Sequence, residues 1–297
     1  MNLNLSKVNM SKSLGIDLGT SNTLIYLAGK GIVLQEPSVA AINSRSMQVL
    51  EVGDAAGLMV GKTGGEQLAF RPIKDGVIAD FDVTVDMLGK FIRKVTGPIF
   101  FNRPKVAVCV PLGLTGVERR AFEDAAGSAG ARSVTLIEAP IAAAIGAGIK
   151  IGAPRGSFII DIGGGTTEVA TVSLGGIVAS ASVRAASAKM DDAIMLYIKR
   201  RYNVGISPKT AEALKLRIGS VHPQADALAR CLGAGAEFCQ LPGRVEHDVV
   251  RVAQQLFELV GPVGGAENVV FLLRQGLPAK AALVQAAGLG AREVRSQ

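Results

Sequence analysis

GIDLGTSNTLIYL at residues 15–27 and IIDIGGGTTEVATVSL at residues 159–174 carry one pattern twice: an apolar run, an aspartate, a glycine-rich turn closing on threonine, and a second apolar run. The two aspartates, Asp17 and Asp161, stand nearly half the chain apart. A turn of Asp, Gly and Thr between two strands points backbone N–H groups into one concavity, an anion-binding nest with hydroxyls beside it. Gly163, Gly164 and Gly165 lack Cβ and allow close backbone approach. Asp17 and Asp161 would repel a phosphate unless a divalent cation lay between them. Either turn alone reads equally as an ordinary hairpin turn, since Gly and Asp are common in turns. Recurrence at half-chain spacing favours a paired clamp closing on one nucleotide–metal complex.

Composition bounds the rest. The 297 residues suggest about two domains, and 48% hydrophobic against 19% charged residues excludes a disordered chain. No apolar run approaches the roughly 18 residues of a membrane span, so a soluble globular protein is expected. The N-terminal MNLNLSKVNMSKS lacks the continuous apolar core of about 7–15 residues that a secretory signal needs, and a cytoplasmic protein is expected. Cys109, Cys231 and Cys239 show no CxxC spacing and point to neither a disulfide framework nor a zinc site. His222 and His247 lack ligand-like neighbours and read as surface histidines. A net charge of +7 favours an anionic membrane surface or phosphate as partner. With no Trp, three Tyr and no reader motif, specific nucleic-acid binding is not expected.

Along the chain, strand-like runs from Gly15 joined by tight turns imply an antiparallel start. KVAVCVP reads as a buried strand, and the helix after it has Thr115 and Glu118 at capping-box spacing. SVTLIEA is a further strand, leading into a helix that opens on Pro140 with Ala139 as its N-cap. The second half restarts the scheme with strands at 158–162, 168–173 and 176–182, a helix over DDAIMLYIKRRYN and another over SPKTAEALKLRIGS from about Ser207. Beyond Ser220 the period fades, although HDVVRVAQQLFELV places Val249, Ala253, Leu256 and Val260 on one helical face.

These segments, with RPIKDGVIADFDVT, VPLGLTGVERRAF and LIEAPIAAAIGAG, resemble the MreB family of bacterial actin homologues from about Gly15 to Ser220. The resemblance implies an α/β, actin-like ATPase fold with two ribonuclease-H-like domains around a nucleotide cleft. The first covers residues 1–155 with a small subdomain at about 36–72; the second covers 156–297 with a subdomain at about 186–255, diverging after 220. It implies ATP and Mg2+ as cofactors, filaments of the chain with itself under the inner membrane, a part in rod cell shape, and the cell-wall elongation machinery as a candidate partner. On the matching positions, Asp17, Gly19, Thr20, Ser21 and Asn22 hold phosphate with Gly163, Gly164, Gly165 and Thr167. Asp17 and Asp161 take the metal, Asp161 and Thr166 serve the chemistry, and Glu212 and Lys215 face the nucleoside.

Three departures from the family stand out. Relatives read Glu-Glu-Pro where this chain has Glu138-Ala139-Pro140, and the missing second Glu orients the attacking water. One step along a helix turns a side chain by about 100°, so Glu138 is expected to point elsewhere. Relatives carry Gly-Asp near Ser187 and Ala188. Finally, ENVVFLLRQGLPA supplies a strand but not the consecutive glycines of the family's adenosine motif, and the last elements of both halves are expected to be missing or replaced. Lys74 and Asp75 match the family and read as solvated flanks without chemistry. Hydrolysis therefore stays open between a weakened filament ATPase and a non-hydrolysing scaffold. A sugar kinase or chaperone ATPase is disfavoured, since no sugar-site insertion or substrate-binding domain is evident.

In RKVTGPIFFNRPK, Ile99, Phe100 and Phe101 form an apolar tip among Arg93, Lys94, Arg103 and Lys105. Such a tip suits an anionic leaflet, and the corresponding loop of the family contacts membrane; packing under the next strand is the alternative. Replacing Phe100 and Phe101 with Ser is expected to abolish co-sedimentation with anionic liposomes without loss of helical circular dichroism; retained binding would contradict the assignment.

Overall fold

The computed structural model describes residues 12–61, 65–98, 103–218, 268–273 and 282–284. The first half runs β1 (Ser13–Leu18), β2 (Asn22–Leu27), β3 (Gly31–Pro37), β4 (Ala40–Asn43), β5 (Val49–Val52), the one-turn α1 (Asp54–Gly57), β6 (Gln67–Phe70), β7 (Ile73–Lys74) and β8 (Val77–Ile78). It continues through α2 (Phe81–Thr96), β9 (Lys105–Val110), α3 (Gly116–Ser128), β10 (Ser133–Glu138) and α4 (Ala139–Gly146). The second half runs β11 (Ser157–Ile162), β12 (Thr167–Ser173), β13 (Gly176–Val183), α5 (Ser187–Tyr202), α6 (Pro208–Ile218), β14 (Asn268–Leu273) and β15 (Ala282–Val284).

Two five-stranded sheets result, ordered β3-β2-β1-β9-β10 and β13-β12-β11-β14-β15. In each, three antiparallel strands are followed by a fourth that pairs parallel to the first, β9 with β1 and β14 with β11. The fifth strands differ. β10 lies parallel to β9, whereas β15 runs antiparallel to β14. β4, β5 and β6 form a separate three-stranded sheet.

Alternation explains the first sheet. Leu14, Ile16 and Leu18 of β1 and Val106, Val108 and Val110 of β9 are buried on one face. Val83, Met87, Leu88, Phe91 and Ile92 recur at helical spacing along α2 and are buried, the last four packing with these strands and with Phe122 of α3. α2 starts where the Asp80 carboxylate accepts the Val83 N–H at 3.0 Å. The capping box expected on α3 forms: Thr115 Oγ1 accepts the Glu118 N–H at 3.2 Å, and Glu118 Oε2 accepts the Thr115 N–H at 2.8 Å. β12 is buried along six of its seven residues, the pattern of a strand covered on both faces.

Two helix starts differ from the sequence expectation. α4 begins at Ala139 rather than Pro140, and Glu138 takes the N-cap position in extended conformation. Glu138 is the last paired residue of β10, opposite Val110, and the chain turns into helix directly after it. α5 begins four residues before Asp191, at Ser187, because the Ser187 and Ala188 N–H groups find acceptors in the carbonyls of Gly163 and Gly164, at 3.4 and 2.9 Å. Sequence alone does not reveal those tertiary acceptors. Asn203 ends α5 in the left-handed conformation, φ 53°. Ile99, Phe100, Phe101, the 247–260 stretch, Cys231, Cys239, His222 and His247 lie outside the described residues.

Candidate phosphate-binding site

The repeated sequence builds a repeated turn. Between β1 and β2 the Gly19 N–H donates to the Asn22 carbonyl at 3.1 Å; between β11 and β12 the Gly163 N–H donates to the Thr166 carbonyl at 2.9 Å. The two turns face one another across a cleft. Asp17, Gly19, Thr20, Ser21 and Asn22 line one side, and Asp161, Gly163, Gly164, Gly165 and Thr166 line the other. The cavity between them has a volume of ≈ 50 Å³.

Glycine is required where the turns approach. A Cβ on Gly164 would collide with Ser21 Oγ and lie 2.8 Å from Ser21 Cβ; one on Gly165 would lie 2.9 Å from the Gly76 nitrogen. Gly76 belongs to the site although the sequence reading passed over it. It shares the β7–β8 hairpin turn with Asp75, both at positive φ (78° and 50°), and its N–H donates to Thr20 Oγ1 at 3.0 Å. An Asp-Gly pair flanked by apolar residues is a hairpin signal that could have placed it.

Other contacts join the halves. Glu168, 1% exposed and opposite Asp161 in register, accepts the Leu112 N–H at 2.7 Å and the Ser182 hydroxyl at 3.3 Å. Arg184 meets Glu118 at 2.8 Å; this guanidinium and the Thr115 N–H hold the Glu118 carboxyl below its usual range, the backbone bond contributing most. Lys189 meets Asp75 at 3.5 Å, so Asp75 is an ion-pair partner across the cleft rather than a bare solvated flank.

Not every expected residue reaches the cleft lining. The Thr167 hydroxyl donates to the Ala185 carbonyl at 2.8 Å, and Glu212 and Lys215 lie off the lining. Lys215 Nζ donates to Ser187 Oγ at 2.7 Å and to the Ser187 carbonyl at 3.3 Å, and pairs with Asp191 at 2.9 Å. Burial pushes the Asp191 carboxyl up, opposed by Lys215. Ala139 does line the cleft, whereas Glu138 does not and instead meets Arg119 at 3.5 Å. Cys109 and Pro111 also border the cleft, Cys109 opposite Asp17 in the β1–β9 register.

The donor set fits magnesium. Magnesium is bound through one or two carboxylates with waters and substrate phosphates completing its shell. Asp17 and Asp161 are two such carboxylates at one cleft, and among the described residues no group of three or more His, Cys, Asp or Glu forms an all-protein cage.

Two sheets of matching order, each carrying a glycine turn at the end of its first strand and joined face to face, define an actin-like fold. The sequence pattern described as MreB/Mbl protein matches residues 11–281, and the chain belongs to that family. It is 46% identical over 234 residues to the cell shape-determining protein Mbl of Bacillus cereus, covering 79% of this chain and 68% of that protein. Against the cell shape-determining protein MreB of Escherichia coli K12 the identity is 53% over 218 residues, covering 72% and 63%. The chain thus matches about two thirds of the length of these relatives. Among solved structures, MreB5 of Spiroplasma citri bound to ADP superposes with a TM-score of 0.72 at 33% identity, covering 85% of this chain and 80% of that one.

The turn contact yields a direct test. Gly165→Ala is expected to lower stability by about 1–3 kcal/mol, read as a fall in melting temperature, because the new methyl meets backbone on the opposite side. An unchanged melting temperature would contradict the closed contact.

Proposed function

We propose that this chain clamps ATP with magnesium between its two turns and assembles into filaments of a cell-shape cytoskeleton at the inner membrane, with hydrolysis slow or absent. The face-to-face turns carry this reading. Backbone N–H groups beside Thr20, Ser21, Gly164 and Gly165 grip phosphate oxygens, and Asp17 and Asp161 hold the metal. The metal, when bound, neutralises charge on the phosphates. The cavity takes the phosphate end of the nucleotide, and the nucleoside extends beyond it. Domains of residues 1–155 and 156–297 supply one turn each. Support also comes from the relatives named as cell shape-determining and from the ADP-bound MreB5 structure.

Slow hydrolysis follows from the cleft wall. Asp161 and Thr166 remain to orient water, but Ala139 has no group to accept its proton, and Glu138 is turned to Arg119. Loss of a positioned base costs about 10²–10⁴-fold in rate and leaves phosphate grip in place. The same observation favours, as a second reading, a scaffold that binds nucleotide without turnover. Membrane attachment is assigned to Ile99, Phe100 and Phe101; among the described residues no helix is long and apolar enough to cross a bilayer.

Phosphate release separates the two readings. Ala139→Glu is expected to raise the release rate at saturating MgATP by about tenfold or more. A folded variant that binds MgATP with no gain in release would contradict the assignment of Ala139 as the missing base position.

A further inference from the structure

The two turns are held from behind in different ways. On the second, the first two N–H groups of α5 donate to the Gly163 and Gly164 carbonyls at 3.4 and 2.9 Å. On the first turn a side chain does the same work. Arg71, between β6 and β7, donates from Nη1 to the Thr20 carbonyl at 3.2 Å and to the Ser21 carbonyl at 2.6 Å. The Ser21 carbonyl also accepts the Ser38 N–H at 3.0 Å, so that peptide is fixed by two donors.

In a trans peptide the C=O and N–H point opposite ways. Drawing the Thr20 and Ser21 carbonyls toward Arg71 therefore turns the N–H groups of Ser21 and Asn22 the other way, and both residues line the cleft. A cationic donor on a carbonyl also polarises its peptide and strengthens the N–H as a donor. From the geometry we infer that Arg71 is a positioning residue for phosphate binding: its guanidinium holds and polarises the first turn from behind, in the role that the α5 N-terminus plays for the second.

Arg71 is itself absent from the cleft lining and acts through the turn. It also feels the carboxylates of Glu212 on α6 and Asp191 on α5, which attract it from the second half. Arg71 is exposed as a residue while burial of its guanidinium opposes the charged form, and the two carbonyl bonds carry the argument. Both bonds leave the one nitrogen Nη1, which the planar guanidinium holds in place; a lysine ammonium carries the same charge on a more flexible stem and is expected to replace it only in part.

The inference rests on the phosphate-clamp reading, and the experiment separates the two. Wild type, Arg71→Ala and Arg71→Lys are titrated with a fluorescent ATP analogue plus magnesium and with inorganic pyrophosphate as competitor, with melting temperatures measured without ligand. Arg71→Ala is expected to weaken both ligands about tenfold or more at nearly unchanged melting temperature, with Arg71→Lys between it and wild type. Added ethylguanidinium is expected to restore part of the affinity of Arg71→Ala and to leave wild type unaffected. A folded Arg71→Ala protein binding within twofold of wild type overturns the inference alone, as does a loss that neither lysine nor ethylguanidinium recovers. Wild type that binds neither ligand overturns the clamp and this inference together.

Discussion

Gly164 and Gly165 meet Ser21, Thr20 and Gly76 at distances that leave no place for a methyl group, and the arrangement of both halves follows from that contact. For two backbones to come so near, each turn must sit at the end of a strand rigid enough to aim it. β1 and β11 are such strands, each flanked on both sides by paired neighbours. The halves are then secured away from the turns, by the buried Glu168 against the Leu112 N–H and by Arg184 on the capping carboxylate of α3. Glu168 is 1% exposed, and its Oε1 accepts one backbone and one hydroxyl donor, which offsets part of the cost of burying it.

The electrostatics of the cleft are made by backbone more than by side-chain cations. Asp17 and Asp161 bring negative charge to the lining, while the basic groups nearby are turned to other tasks: Arg71 to the carbonyls of one turn, Lys189 to Asp75, Lys215 to Ser187 and Asp191. A site of that kind calls for a cation to arrive with its anion, which is the behaviour of a metal–nucleotide complex. The hydroxyl of Ser187 adds an acceptor for Lys215.

Much of this is legible in the sequence. β1 and β9 follow from alternation, the second-half strands from apolar runs bounded by turns, the α3 cap from Thr115 and Glu118, and the paired turns from glycine and aspartate recurring at half-chain spacing. What sequence could not supply depends on partners far along the chain. The start of α5 needs the Gly163 and Gly164 carbonyls, the part played by Asp75 needs Lys189, and Arg71 is an unremarked surface-type residue until the turn is folded beside it. Thr167 shows the converse: the motif places it in the site, whereas its hydroxyl donates to the carbonyl of Ala185, in the segment between β13 and α5.

Equilibrium affinity for MgATP in wild type and Asp161→Ala is the measurement that bears most directly on the clamp. The account predicts saturable, magnesium-dependent binding by the wild-type chain that is lost or weakened at least about tenfold in the variant, while both remain folded. Wild-type protein that is folded and yet binds no nucleotide, or a variant that binds as tightly as wild type, would contradict it.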